Sequence, residues 1–336
     1  MGLHNFFKKK GEKMHLSDNK LLDIKTYEEK DNRRKTIPKE IKELVKDGKD
    51  EEVKKIMAKC RINAYDTYSK NTILSYEGIS DDLVRFFIQE GYDINYRGAR
   101  EETPLYVQAG NLNANLRLLI ALDADIHALD YMGKSPLHHA AMFSKLENIK
   151  VLIEAGADVN LKSQTFQMTP LHELVARMYL FNAQTSIACI HYLLGHGAKI
   201  TEEIKETIKK IGKDYEFHRD ESKEITKEMD ETLHTLYDIF NVTPVEHRKR
   251  YDGVAKIQVT SNRWQDQHEE LWQLLVPGDG HANTIQGELT RIAGKLSYEI
   301  IDNGAVNWDH DYRLMVESIL SILHKEKSCQ MIKWKI

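Results

Sequence analysis

Cysteine is scarce in this chain: 336 residues hold three, Cys60, Cys189 and Cys329. They are odd in number and far apart, so they build neither a disulfide framework nor a zinc knuckle, which points to a reducing compartment. No apolar run reaches the roughly 18 residues that span a bilayer. The opening Met1-Gly2-Leu3-His4-Asn5-Phe6-Phe7-Lys8-Lys9-Lys10 is no secretory leader, because its short apolar part precedes the basic residues instead of following them. Phe6 stands where a myristoylated start wants Ser or Thr. Neither sign of charge prevails. Lys and Arg number 48 against 52 Asp and Glu, and the net charge of -4 gives no ground for a nucleic-acid or membrane partner. A phosphate-binding glycine loop, a Ser-His-Asp elbow and a His-Glu-x-x-His helix are all missing. What is present is a 41% hydrophobic, 30% charged composition, that of a packed core under a densely charged exterior.

Within it one phrase recurs. Thr103-Pro104-Leu105, Ser135-Pro136-Leu137-His138-His139-Ala140-Ala141 and Thr169-Pro170-Leu171-His172-Glu173-Leu174 are versions of the same wording. After a helix-length apolar stretch, each leads to a turn phrase: Leu122-Asp123-Ala124-Asp125-Ile126-His127, Ala155-Gly156-Ala157-Asp158-Val159-Asn160 and His196-Gly197-Ala198-Lys199-Ile200. Pro104 to Pro136 is 32 residues and Pro136 to Pro170 is 34. The wording has physical causes. Proline in a first helical turn gives up an amide that would be unpaired there, and the preceding Thr or Ser accepts from the other exposed amides. The leucines pack inward, and Ala140 and Ala141 let helices approach. Gly91, Gly156 and Gly197 supply a left-handed residue after the second helix, with Asp123 in that place once.

A period near 33 with this wording resembles the ankyrin repeat. Two earlier copies fall into register: Thr72-Ile73-Leu74-Ser75 with Glu90-Gly91-Tyr92-Asp93-Ile94-Asn95, and a unit opening at Ile37-Pro38 with helices carrying Ile41, Leu44, Val45 and then Val53, Ile56, Met57, the second ended by Arg61-Ile62-Asn63-Ala64. This makes about five repeats over residues 36–200, the outermost degenerate. The fifth is longer: Thr169 to Gly197 is 28 residues where Ser135 to Gly156 is 21. The surplus falls near Arg177–Gln184 and brings two aromatics.

Residues 201–242 lose the repeat and become a charged helical cap or extension. Ile225, Met229, Leu233, Leu236 and Phe240 recur at helical spacing there. Residues 243–336 read as a C-terminal helical module, after an N-terminal tail of residues 1–35. One helix face holds Trp264, His268, Leu271, Trp272 and Leu275. A second holds Ile285, Leu289, Ile292, Leu296 and Ile300. A last helix, capped by Asn307 or Asp309, bears Tyr312, Met315, Val316, Ile319, Leu320 and Leu323. In its phrases Leu275-Val276-Pro277, Thr284-Ile285-Gln286-Gly287-Glu288-Leu289 and Asn303-Gly304 to Asn307-Trp308-Asp309 the C-terminal module is faintly similar to short uncharacterised bacterial helical proteins. The expected fold is therefore all-α, an ankyrin-repeat solenoid of helix pairs with hairpin fingers, followed by a helical extension and a small C-terminal bundle.

The resemblance implies a concave groove for a protein partner. It puts His138 and His172 on backbone groups of neighbouring repeats, and His139, one place later, on the face toward the groove. It puts the segment before each Thr-Pro-Leu at a finger tip on the groove's edge. Tyr65 and Tyr96 lie seven residues before their repeat's Thr, Tyr68 and Tyr131 four before the capping Thr or Ser, and Phe166 three before Thr169. Aromatics on tips that are free to be polar mark an interaction surface. The expected contact set is Tyr65, Tyr68, Tyr96, Tyr131, His139, Met142 and Phe166. The Pro277–His281 loop with Glu288, and the run Asp302, Asn303, Asn307, Asp309 and Asp311, lack metal-ligand spacing and read as helix starts with capping acids. His247-Arg248-Lys249-Arg250 reads as a solvated basic loop. The function expected is non-enzymatic protein binding in the cytoplasm, with no cofactor, metal, catalytic residue, nucleic acid or membrane partner, and no small-molecule substrate. The alternative is a bacterial adaptor or effector, exported into a host cell, whose array positions a target for the C-terminal module. A third class places catalytic residues in that module.

Overall fold

The computed structural model describes residues 33–181, 183–219 and 227–326. The expectations for residues 1–32, for Ile225, for the Leu323 side chain and for Cys329 lie outside that description. Among the described residues there are fourteen α-helices and one two-stranded sheet.

The helices come in pairs. They are α1 (Ile41–Lys46) with α2 (Asp50–Met57), a 3-10 turn (Ile73–Ser75) with α3 (Asp81–Gln89), and α4 (Pro104–Ala109) with α5 (Leu116–Ala121). Then follow α6 (Pro136–Met142) with α7 (Leu146–Glu154), α8 (Pro170–Arg177) with α9 (Gln184–Gly195), and α10 (Glu202–His218) with α11 (Lys227–Phe240). First helices stack on first helices, α4 on α6, α6 on α8 and α8 on α10, while α5 packs on α7 and α7 on α9. No pair buries its own apolar side alone. Together they close one continuous core that runs from Ile37 to Val242. Leu105, Leu137, Leu171, Ala140 and Ala141 are fully buried in it.

The repeated phrase does what its chemistry requires. Thr103, Ser135 and Thr169 each accept a bond from the amide three residues on, directly before a helix-opening proline. Gly91, Gly156 and Gly197 have φ of 90°, 98° and 88°, and Asp123 takes the same region at 68°. The fifth pair's surplus is shared: compared with the fourth pair, α8 is one residue longer, and α9 and the loop between the helices are three longer each.

Asparagines tie one turn to the next. Asn63 accepts from the Asp93 amide at 2.8 Å. Asn95 donates to the Asp123 carbonyl at 3.1 Å and accepts from the Asp125 amide at 2.8 Å. Asn160 does the same with Gly197 and Lys199, at 2.9 Å each. The third member of the series is His127. Its amide donates to Asp125 at 2.9 Å, as the amides of Asn95 and Asn160 do to Asp93 and Asp158. Among the described residues no hydrogen bond joins turn 123–128 to turn 156–161. His127→Asn should therefore restore the missing tie and stabilise the array by about 1 kcal/mol in urea unfolding. No change in midpoint would show that the turns are spaced differently there.

Some expectations change. Arg61–Ala64 does not close a helix but lies in β2 (Cys60–Tyr65), which pairs in parallel with β1 (Arg34–Thr36). Helix α10 sits on the open end of the stack, as a cap does, but in the register of a further repeat. Thr201 stands 32 residues after Thr169, and α10 occupies the next first-helix position, burying Ile204, Ile208 and Tyr215. Glu202 has replaced the proline, and the wording that signals a repeat has gone while its packing remains.

Past the array come α12 (Trp264–Leu275), α13 (Ile285–Ser297), a π-helical turn (Tyr298–Asp302) and α14 (His310–Glu326), with α13 packed against both neighbours. Asp309 caps α14 by accepting from the amides of Asp311 and Tyr312. Glu288 accepts from the Ala282 amide at 3.0 Å, from His281 Nδ1 at 2.9 Å and from Arg291. Arg248 is not solvated as the sequence suggests. Its guanidinium reaches the carbonyls of Phe217, Trp272, Gln273 and Val276 and lies 4.1 Å from the centroid of the Phe217 ring.

Candidate interaction surface

The segments before each capping Thr or Ser project as fingers, and main-chain bonds join their tips in a row. The Ala99 amide donates to the Ser69 carbonyl at 2.7 Å, Tyr131 to Arg100 at 3.0 Å, and Gln164 to Met132 at 2.9 Å. Carboxylates brace the turns from inside. Asp66 accepts from the amides of Tyr68, Ser69 and Asn71. Burial alone would raise its pKa, but bonds from Ser69, Tyr68 and Asn71 outweigh that and hold it below the ordinary range. Asp130 is buried and accepts from the amides of Met132 and Lys134 and from the Tyr106 hydroxyl.

On this braced frame stand the tip aromatics. Tyr68 is 87% exposed, Tyr131 58% and Phe166 53%, a degree of exposure a packing role does not require. Tyr65 and Tyr96 are half-buried at the base of their fingers, and Lys70 Nζ sits 4.7 Å from the centroid of the Tyr65 ring. Lys134 Nζ lies 5.7 Å from the Phe166 ring centroid. That ammonium is itself buried, 2.7 Å from Glu173 Oε1, in a contact that is short but not aligned as a hydrogen bond.

The first helices supply the other flank. His139 is half-buried: its Nδ1 donates to the Tyr106 carbonyl at 2.8 Å and its ring stacks on Tyr106 at 4.4 Å. Phe143 meets the His139 ring edge-on at 5.1 Å. Gly110 makes room for this stack, since a Cβ there would come within 2.7 Å of His139 Cε1. His139 is thus committed to neighbours on most of its surface, and Phe143, 51% exposed, offers the stack's open end. Met142 is half-buried beside it. His138 is enclosed, with Nε2 3.0 Å from the Met168 carbonyl of the following finger. His172 instead meets the Thr207 hydroxyl at 2.9 Å, on α10.

Burial holds all three histidines below the usual imidazole range, His139 at about 4. The native state therefore favours their neutral forms, while in the unfolded chain they titrate near 6.5. Between those values the unfolded state binds more protons, so stability present above about pH 6.5 is lost as pH falls toward 4. The thermal midpoint should drop between pH 7 and pH 5, and His139→Gln should flatten that slope. An equal slope in the variant would mean that His139 titrates normally in the fold.

Two features escape the sequence reading. Tyr106 takes the place of the repeat histidine and spends its hydroxyl on Asp130. A second exposed apolar edge occupies the loops between paired helices, where Leu112 and Phe143 join Tyr179 and Phe181, the two aromatics the sequence places in the fifth pair's surplus, all between 51% and 82% exposed. Among the described residues no three His, Cys, Asp or Glu side chains gather to hold a metal ion, and no helix is long and apolar enough to cross a membrane.

Family profiles of ankyrin repeats match residues 71–163 and 137–194. Residues 71–194 are ankyrin repeats. An ankyrin repeat protein of fowlpox virus is 47% identical over 58 residues, 17% of this chain and 11% of its own. Human ankyrin repeat and SOCS box protein 16 is 34% identical over 97 residues, 29% of this chain and 21% of its own. Mouse NF-kappa-B inhibitor delta is 30% identical over 128 residues, 33% of this chain and 39% of its own. The chain thus spans well under half the length of these relatives.

Proposed function

We propose that this chain, an ankyrin array over residues 71–194, is a non-enzymatic binding protein of the cytoplasm. Its partner is a protein, held in a concave groove between the finger tips and the first helices. Tyr68, Tyr131 and Phe166 are the anchors of this reading, Tyr65, Tyr96 and Met142 its half-buried floor, and His139 the base on which Phe143 stands. The observation that carries it is the row of exposed rings on fingers whose backbones are bonded tip to tip. Rings on a prepaid scaffold lose little freedom when a partner covers them, which is where binding energy concentrates. Two relatives lend support by their names alone, one an inhibitor of NF-kappa-B and one an ankyrin and SOCS box protein. The buried free thiols of Cys60 and Cys189 suit a reducing compartment.

The test is capture of a partner on the full chain, followed by titration of that partner against single variants. Tyr131→Ala should cost about 2 kcal/mol of affinity, roughly thirtyfold. Undiminished affinity in Tyr68→Ala, Tyr131→Ala and Phe166→Ala alike would move the contact away from the tips.

A second reading gives residues 243–336 a role of their own, with the array positioning a target for them. It is favoured by the cleft among α12, α13 and α14 described below. The relatives reported above are viral and mammalian and lend no weight to the bacterial similarity of this segment.

A further inference from the structure

A cleft of about 690 Å³ opens between α12, α13 and the start of α14. Its walls are aromatic: Trp272, Tyr298 and Tyr312 line it. Trp308 stacks behind Tyr312 at 5.6 Å, and Trp272 is backed by Phe217 at 6.2 Å and by Gly294, where a Cβ would meet the indole at 2.4 Å. These rings are positioned by their neighbours, yet Tyr298 stays 62% exposed toward solvent. Two carboxylates, Asp309 and Asp311, share the lining. Asp309 spends one oxygen capping α14, and neither acid forms an ion pair with a described residue. A third carboxylate, the buried Glu299, accepts a bond from the Tyr312 hydroxyl and from Asn303 and Asn307. A phenol donating to a carboxylate gains electron density in its ring. The basic side chains sharing the lining are Lys295, exposed and in no ion pair with a described residue, and His268, whose Nε2 is held by the Thr290 carbonyl.

Ring faces and unpaired carboxylates around one space are complementary to a cation that is poorly hydrated or attached to an apolar stem. Anions are repelled by the same acids, and a neutral apolar group would leave both carboxylates desolvated and unpaired. We infer that this cleft binds a basic side chain, lysine or arginine, presented by a protein partner. It is a separate site from the finger tips, and its occupancy does not depend on what the array holds.

Calorimetric titration of the full chain with a short lysine-rich peptide tests it, alongside the same peptide with its lysines acetylated and alongside choline. The basic peptide should bind saturably and the acetylated one should not. Tyr298→Ala and Asp311→Asn should each weaken the basic peptide about tenfold, with Tyr298→Phe retaining affinity. Both positions are exposed, so unchanged thermal midpoints are expected and show that the variants are folded. Equal binding of the acetylated peptide, or affinity indifferent to Tyr298→Ala and Asp311→Asn, overturns the proposal. Saturable binding of choline without the basic peptide overturns it also, in favour of a small-molecule site. These results leave the tip variants of the array unaffected, so the two readings fail separately.

Discussion

Glu173→Ala should destabilise the array by about 3–5 kcal/mol, read as a lowered midpoint in urea or heat. The side chains of Glu173 and Lys134 are 2% and 5% exposed and 2.7 Å apart, joining the finger that leads into α6 to α8, the first helix of the next pair. Truncating the acid leaves an ammonium out of water with no counter-charge, and that desolvation penalty sets the magnitude. Arg177 also meets Glu173, at 3.3 Å, but it is 54% exposed and can turn to solvent. The pair itself is weak evidence of net stabilisation, since its own burial offsets much of the attraction. Lys134→Met combined with Glu173→Leu should accordingly recover most of the loss. A single-variant cost below about 1 kcal/mol would mean that water reaches the pair in solution.

Arg248→Ala should release the C-terminal helices from the array. One guanidinium satisfies carbonyls at the ends of both α10 and α12, groups that a helix terminus leaves unpaired. Bonds from a charged donor are worth roughly 1.5–3 kcal/mol each and do not add, so a coupling loss of about 3–5 kcal/mol is expected. Calorimetry should show residues 251–326 melting ahead of residues 33–242, with new protease cuts between 249 and 263. Arg248→Lys should rescue little, because an ammonium lacks the planar fork that reaches several carbonyls at once. A single unchanged transition in Arg248→Ala would place the coupling elsewhere, with the Phe217–Trp272 stack as its next bearer.

These two side chains also mark the limit of what the sequence discloses. The proline-led helices, their Thr and Ser caps and the glycine turns are legible because each is a local contract between residues a few places apart. Strand β2 is not, because Cys60–Tyr65 becomes a strand only through a partner more than twenty residues upstream. Nor is α10 legible as a repeat helix, because shape at Ile204 and Ile208, and not wording, keeps it in the stack. At the surface, sequence placed Tyr68, Tyr131 and Phe166 on tips, and the structure shows those rings exposed. It put His139 on the same footing without seeing that Gly110, one helix back, admits the ring into a stack. Arg248 sat inside a basic run that looked soluble, and only the carbonyls of two distant helices reveal its employment.

The histidine at position 127 has a mechanical consequence. Between the third and fourth helix pairs the first-helix side is stitched, by His139 to Tyr106 and by Asn148 to the carbonyls of Ala109 and Asn111. On the far margin, among the described residues, the turns themselves are untied, and the exposed pair Arg117–Glu154 at 2.6 Å joins α5 to α7. An exposed ion pair holds less firmly than bonded turns, so the stack should open or tighten its curl more readily there than at the joints where Asn63, Asn95 and Asn160 tie the turns. In the proposed binding role this compliance would let the groove fit partners of different girth, and His127→Asn would trade it for rigidity.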